Sequence, residues 1–236
     1  MGELQISELI PSSKKWLNAV LSDFDTFLID HADCERKASG MAMNLVAKYP
    51  DRTYIIPGLI HTGIEELEHF RLVYKIMSER GIQLPVRMTK DVYVGELLKL
   101  VRGGRDEGFM DRMVLGAIVE NRGFERFKLI ADHIQDPKLA AFYDMIYQSE
   151  YKHGEMFLDM AIHYLPKEQV LNRYNEVVEL ESIIERNIFS EKDKANGMPE
   201  YIMNGFVDFN QNGNRGILIE KTKEPLRRLI IAAKMS

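Results

Sequence analysis

Two Glu-x-x-His sequences, Glu66–His69 and Glu150–His153, are the first places in this 236-residue chain where residue type and spacing point to chemistry. None of the other four histidines has a glutamate three positions before it. On an α-helix that spacing puts both side chains on one face, where a carboxylate and an imidazole can bind a common ion. A single match of two fixed positions means little. Here each match follows another helical segment with a glutamate on a face of small residues: Glu35 precedes Glu66 by 31 positions, and Glu120 precedes Glu150 by 30. The chain therefore repeats one unit, a Glu helix followed by a Glu-x-x-His helix. Four carboxylates and two imidazoles facing into a helical bundle are the inventory of a two-metal site. Such an oxygen-rich set suits iron or manganese, whereas zinc takes fewer oxygens and more nitrogen or sulfur.

Helix-face arithmetic separates these residues from neighbouring acids. Three and four positions from Glu120 stand Gly116, Ala117, Gly123 and Phe124, a small and apolar lining. Around Glu125 stand Asn121, Arg122, Lys128 and Leu129, which reads as a solvated face. Glu150 has Ile146, Tyr147, His153 and Gly154 beside it, while Glu155 has Lys152 and Asp159. The first Glu-x-x-His is more crowded, because Glu65 lies four positions before His69 and Glu68 is adjacent. Glu66 is preferred because Thr62, Gly63, Phe70 and Val73 share its stripe, with Glu65 left as the alternative. Taken singly, a helical glutamate is usually solvated and a histidine on an apolar face is usually a hydrogen-bonded core residue. In duplicated register, burial without a metal would leave four carboxylates with no compensation for their lost hydration. His31, one turn before Glu35, is placed to orient it or to serve the core. Cys34 should point off that face, buried and inert.

These residues need long helices to position them, and apolar periodicity supplies the candidates. Pro11-Ser12-Ser13 reads as a helix start, and one stripe runs from Trp16 through Leu45 to a stop at Tyr49-Pro50. Further helices are expected over about 57–80, with Gly81 as the stop, and over about 109–133. Another runs from Asp136-Pro137 to about Tyr164, and a shorter, more polar one covers 167–189. Residues 82–106 read as a long connection with one short helix near 92–101. Two long helices, a crossover and two more long helices predict an all-α, ferritin-like four-helix bundle with the crossover between helices 2 and 3. Residues 1–190 would form this bundle and 191–236 a C-terminal extension. Asn204-Gly205 and Asn212-Gly213 there suggest a hairpin, with a short basic, apolar helix at 226–234.

Composition narrows the class. Hydrophobic residues make up 45% and charged residues 28%, ordinary for a globular protein with a proper core. A net charge of −5 argues against bulk electrostatic capture of nucleic acid but leaves room for a local patch. Arg87, Lys90, Lys99, Arg102 and Arg105 concentrate positive charge in the crossover and are the candidates for a polyanion contact, against a plain solvated loop face. One cysteine excludes an intramolecular disulfide framework. With no secretory signal and no apolar run long enough to cross a bilayer, the expected address is the cytoplasm, with no membrane partner.

Several of these stretches resemble the tRNA 2-methylthio-N6-isopentenyladenosine(37) hydroxylases. The resemblance lies in Asp30-His31-Ala32-Asp33-Cys34-Glu35-Arg36-Lys37-Ala38, in Glu65-Glu66-Leu67-Glu68-His69-Phe70, and in Gly116–Arg122 followed by Glu125-Arg126-Phe127. Phe142-Tyr143, Ser149-Glu150-Tyr151-Lys152-His153 and the crossover stretch 93–102 are similar too, so the likeness covers about residues 16–165. It implies a non-haem di-iron monooxygenase that uses O2 and two electrons from a reductase to hydroxylate the isopentenyl group at adenosine 37. It also implies that Glu35, Glu66, His69, Glu120, Glu150 and His153 are the ligands and that the crossover cations meet phosphates of the anticodon loop. Glu68 departs from the family, which often has histidine there, and the segment after about 190 matches none of its motifs. The competing readings are a ferritin- or rubrerythrin-like ferroxidase and a di-iron hydroxylase of another small substrate, such as a quinone. The first would favour a Cys-x-x-Cys iron site, which this sequence lacks; the second would favour an amphipathic membrane-binding helix.

Overall fold

The computed structural model describes residues 6–86 and 91–188, apart from the side chain of Tyr151. The expected hairpin and terminal helix beyond 191, and the cations Arg87 and Lys90, lie outside the described residues. All regular structure among the described residues is helical: α1 (Lys14–Ser22), α2 (Phe24–Lys48), α3 (Ile55–Glu79), α4 (Val92–Leu98), α5 (Arg105–His133), α6 (Pro137–Tyr164) and α7 (Lys167–Ile188).

The single first helix expected from the Trp16–Leu45 stripe is in fact two. Asp23 ends α1, its N–H bonding to the carbonyls of Ala19 and Val20, and its side chain then caps α2 by accepting from the Thr26 N–H. An aspartate that satisfies orphan backbone groups on both sides lets the axis break at little cost. The break turns α1 so that Trp16, Leu17 and Val20 cluster with Phe27, Ile130 and Tyr143. The other boundaries follow their local chemistry. Gly81, at φ +74°, closes α3 with Ile82 N–H bonded to the Met77 carbonyl and Gly81 N–H to that of Ser78, a Schellman ending. Asp136 caps α6 through the N–H groups of Lys138 and Leu139, with Pro137 in the first turn.

α2 packs on α3 and α5 on α6, each pair joined by a short loop and therefore antiparallel, while α3 against α6 joins the pairs. The long connection from α3 to α5 carries α4, which lies against α7 and α5. This is the ferritin-like four-helix bundle, with α1, α4 and α7 added around it.

α7 is less peripheral than its polar composition suggests. Val170, Tyr174, Val177 and Ile184 join the main core, and three charged contacts fasten α7 to α5. Arg173 Nε donates to Asp111 Oδ1 at 2.8 Å, Arg122 NH2 to Glu181 Oε1 at 2.7 Å, and Arg126 NH2 to Glu185 Oε1 at 3.0 Å. Partner numbers rise together along both helices, so α5 and α7 run parallel. Arg122 also donates to the Ile10 carbonyl at 2.8 Å and to Glu125, whose carboxylate accepts from the N–H and hydroxyl of Ser12. The Glu125 face expected to be solvated is therefore covered by the N-terminal segment. Tyr93 on α4 donates to the same Glu181 oxygen at 2.9 Å, which anchors the crossover.

Candidate metal centre

Each of the four bundle helices brings its glutamate or its Glu-x-x-His pair to one buried cluster. Glu35 comes from α2, Glu66 and His69 from α3, Glu120 from α5, Glu150 and His153 from α6, and all six are at most 6% exposed. They sort into two overlapping sets whose donor atoms lie within 4.8 Å of one another. One set is Glu35, Glu66, His69 and Glu150; the other is Glu66, Glu120, Glu150 and His153. Glu66 and Glu150 belong to both. Glu150 Oε1 is 3.0 Å from His69 Nδ1, while its Oε2 is 3.0 Å from His153 Nδ1. Glu66 likewise turns Oε2 toward His69 Nδ1 at 3.5 Å and Oε1 toward His153 Nδ1 at 3.1 Å. Each set thus offers one imidazole nitrogen, one carboxylate of its own and a share in the two carboxylates common to both.

The donor set fits a pair of cations. Glu66 Oε1, His69 Nδ1 and Glu150 Oε1 are buried without a hydrogen-bond partner although they stand close to other donors and acceptors. Lone pairs that converge without bonding one another are what a bound cation takes up, and without one they would cost several kcal/mol of lost hydration, on the order of 1–3 each. Electrostatics agree. Burial alone would lower His69 and His153, yet the carboxylates close around them, Glu150 and Glu66 for both with Glu35 beside His69 and Glu120 beside His153, outweigh it and raise both imidazoles. Burial pushes Glu66 up to about 7 and Glu120 well above the carboxylate range. Burial acts upward on Glu150 too, but the adjacent imidazoles of His153 and His69 hold it low. Protons on these groups thus stand in for metal charge at neutral pH.

A divalent cation entering the cluster must displace those protons. Groups whose pKa is raised hold their protons below the raised value and release them only as pH climbs through it, so metal affinity must rise with pH. The expected slope is about tenfold per pH unit for each proton displaced, measured as the apparent cobalt(II) or iron(II) dissociation constant between pH 6 and 7.5. Proton release into weak buffer during the same titration gives the count, and a pH-independent affinity would sink this account of the site.

Outer partners fix the donors. His31 Nε2 lies 2.6 Å from Glu35 Oε1, and its Nδ1 lies 3.0 Å from the Tyr143 hydroxyl. Burial, then the nearby His69, lowers His31 to about 3, so it is a neutral imidazole that donates through Nε2 to Glu35 and accepts from Tyr143 through Nδ1. Phe27, Phe127, Phe142 and Tyr143 surround its ring. The sequence placed His31 beside Glu35 and marked Phe142-Tyr143 as a family-like stretch, but it offered no sign that Tyr143, on a helix more than a hundred residues away, would be the partner of His31. Glu65, the alternative to Glu66, lies outside both ligand sets and binds the outer nitrogen of His153 at 3.0 Å. Glu68 is exposed and pairs with Arg71. Cys34 is free and half-buried, and burial pushes its thiol well above its ordinary range.

The crossover cations are not drawn into one cluster with the ligands. Lys99 pairs with Glu96 and Arg105 with Asp51, both on the surface, while Arg102 is tied through its backbone N–H and guanidinium to the buried Asp111. Among the described residues no helix is long and apolar enough to cross a membrane.

Residues 6–194 match the family described as tRNA-(MS[2]IO[6]A)-hydroxylase (MiaE). The chain belongs to this family. A tRNA 2-(methylsulfanyl)-N(6)-isopentenyladenosine(37) hydroxylase of Pseudomonas putida is 36% identical over 155 residues, covering 65% of this chain and 74% of that protein. A hydroxylase of the same name from Salmonella typhimurium is 35% identical over 97 residues, 41% of this chain and 35% of that protein. Among solved structures, Protein 43 with aldehyde deformylating oxygenase activity from Synechococcus aligns with a TM-score of 0.73 and 29% identity, covering 85% of this chain and 97% of that one. The MiaE match takes in every residue of the cluster and extends beyond the 16–165 stretch marked by local motifs, to residue 6 ahead of α1 and through the whole of α7.

Proposed function

We propose that this chain is a di-iron, O2-dependent hydroxylase of tRNA that acts on the isopentenyl group of 2-methylthio-N6-isopentenyladenosine at position 37, with electrons from a reductase. The observation that carries this reading is the pair of buried ligand sets sharing Glu66 and Glu150, in a chain of the MiaE family. Iron is the metal proposed, and the same carboxylate-rich donor set would also accept manganese. When bound, a pair of reduced irons supplies the binding and cleavage of O2. Everything else falls to the protein. Glu35, Glu120, His69 and His153 would each hold one ion, with Glu66 and Glu150 shared between them. His31 fixes the orientation of Glu35 through its Nε2–H. On the α5–α6 side, the Phe157 ring packs directly against Gly116, one turn before Glu120, and Ala117 and Phe157 are fully buried.

Recognition of tRNA would rest on positioning cations rather than on net charge. Arg87, Lys90, Lys99, Arg102 and Arg105 are proposed to face the anticodon loop's phosphates. Of the three described ones, Lys99 and Arg105 sit in exposed ion pairs that a phosphate can replace, whereas Arg102 is committed to Asp111. Substituting Lys99 or Arg105 by alanine is therefore expected to weaken tRNA binding irrespective of sequence and to lower the salt slope of binding by about 1 each. An unchanged slope in a filter-binding titration would remove them from the interface. The reaction itself is tested by nucleoside analysis. Cells lacking the chain should accumulate the unhydroxylated nucleoside, and the purified iron-loaded protein with reductant and O2 should convert it. Unaltered nucleosides in those cells would reject the substrate while leaving the metal site standing.

A further inference from the structure

The position just before each Glu-x-x-His is occupied by different chemistry, Glu65 before Glu66 and Ser149 before Glu150. In the fold these two residues cross over. Glu65, on α3, accepts from His153 Nε2 on α6 at 3.0 Å, and Ser149, on α6, stands 3.2 Å from His69 Nε2 on α3. In both cases the inner nitrogen, Nδ1, faces the carboxylates, so the outer bond sets the tautomer that presents a lone pair inward. The surroundings differ as well. Glu65 is about one-third exposed, and its Oε2 also meets His61 Nε2 at 3.2 Å, with the His61 side chain 71% exposed. In the His69 half the outer partner is the partly buried, uncharged Ser149, and the set's own carboxylate, Glu35, is held by buried His31.

We infer that Glu65 and Ser149 are positioning residues that make the two metal positions unequal, the carboxylate–imidazole pair strengthening the position at His153 and the neutral hydroxyl leaving that at His69 weaker. A carboxylate accepting from the outer N–H raises the basicity of the inner nitrogen, whereas a hydroxyl does so little. The two positions therefore fill in order, His153 first. This rests on the metal-centre reading above.

The test is an anaerobic cobalt(II) titration of the metal-free chain, followed by visible d–d absorption and calorimetry. The wild type is expected to take up two ions per chain in two resolved steps. Glu65→Gln, which keeps a hydrogen-bond acceptor but removes the charge, should weaken the first step by about 10–100-fold and shift its absorption band, and Glu65→Leu should weaken it further. Ser149→Ala should act on the second step alone, with a smaller loss. If E65Q and S149A move the same step, or neither moves any, or S149A costs more than E65Q, the inference is overturned while the two-metal centre stands. A wild type that takes up no cobalt would instead overturn the centre itself. Both substituted residues lie outside the closed core, and unchanged thermal midpoints of the metal-free variants separate lost ligand orientation from lost fold.

Discussion

Replacing Glu150 with alanine is expected to leave the chain with well under one metal ion per molecule and to abolish hydroxylation. Its two oxygens stand 3.0 Å from the inner nitrogens of both histidines, so its loss breaks both ligand sets at once. Glu35→Ala makes the contrast, because it touches one set only and should leave about one ion, held by Glu66, Glu120, Glu150 and His153. Metal analysis of purified, folded protein reads both. If the Glu150 variant keeps two ions, or the Glu35 variant loses both, the bridging arrangement is wrong. The alanine chain should still fold, because His69 and His153, unlike an arginine, can shed their protons and remain as neutral imidazoles when the carboxylate between them is removed.

The second large effect concerns stability. Glu181→Leu is expected to destabilise the fold by about 3 kcal/mol, the low end of the cost of breaking a buried ion pair, because Glu125 and the Ile10 carbonyl still hold one nitrogen of Arg122. The Arg122 side chain is 2% exposed and that of Glu181 is fully buried, so no water replaces the lost partner. Burial pulls on Arg122 in the other direction, but Glu181, with Tyr93 and Glu185, keeps the guanidinium pKa raised, which means that it stays charged. Arg122→Met combined with Glu181→Leu should recover much of the loss, since an apolar pair of similar volume needs no compensation. Urea midpoints of the two singles and the double complete the cycle. A single-variant loss below about 1 kcal/mol, or a double no better than the sum of the singles, would show that the pair does not fasten α7 as argued. Metal content per folded chain should not change, because neither residue reaches the cluster.

The two effects differ in how far each could be read without the fold. Local information determines the bundle and much of its centre. Apolar periodicity outlines the four long helices, the Asp136-Pro137 and Gly81 signals mark their ends, and the repeated Glu-to-Glu-x-x-His unit selects six residues that all meet in the structure. The small residues around Glu120 and Glu150 are legible as an inward face because three- and four-residue spacing is a property of any helix. What escaped depends on partners distant in the chain. The Asp23 break was hidden because the apolar stripe continues across it, and its aspartate reads as a cap only once α1 has turned toward α5. The charged face of α5 looked solvated, since nothing within four residues of Arg122 or Arg126 announces that Glu181 and Glu185, spaced likewise on α7, lie opposite.

The choice between Glu65 and Glu66 shows where that division falls. Both lie within helical reach of His69, and spacing alone could only favour Glu66 by its company. In the tertiary structure α6 lies against α3, with Glu66 turned toward both histidines and Glu65 at the outer nitrogen of His153. The sequence by itself thus determined which residue types share a helix face, and so the donor inventory of the centre. Only the packing of helices far apart in the chain determined which carboxylates are shared, which histidine receives which outer partner, and which buried charges serve the fold instead of the site. Helical spacing is set within a few residues, whereas the desolvation and pairing that give a charge its role are set by whatever packs against it.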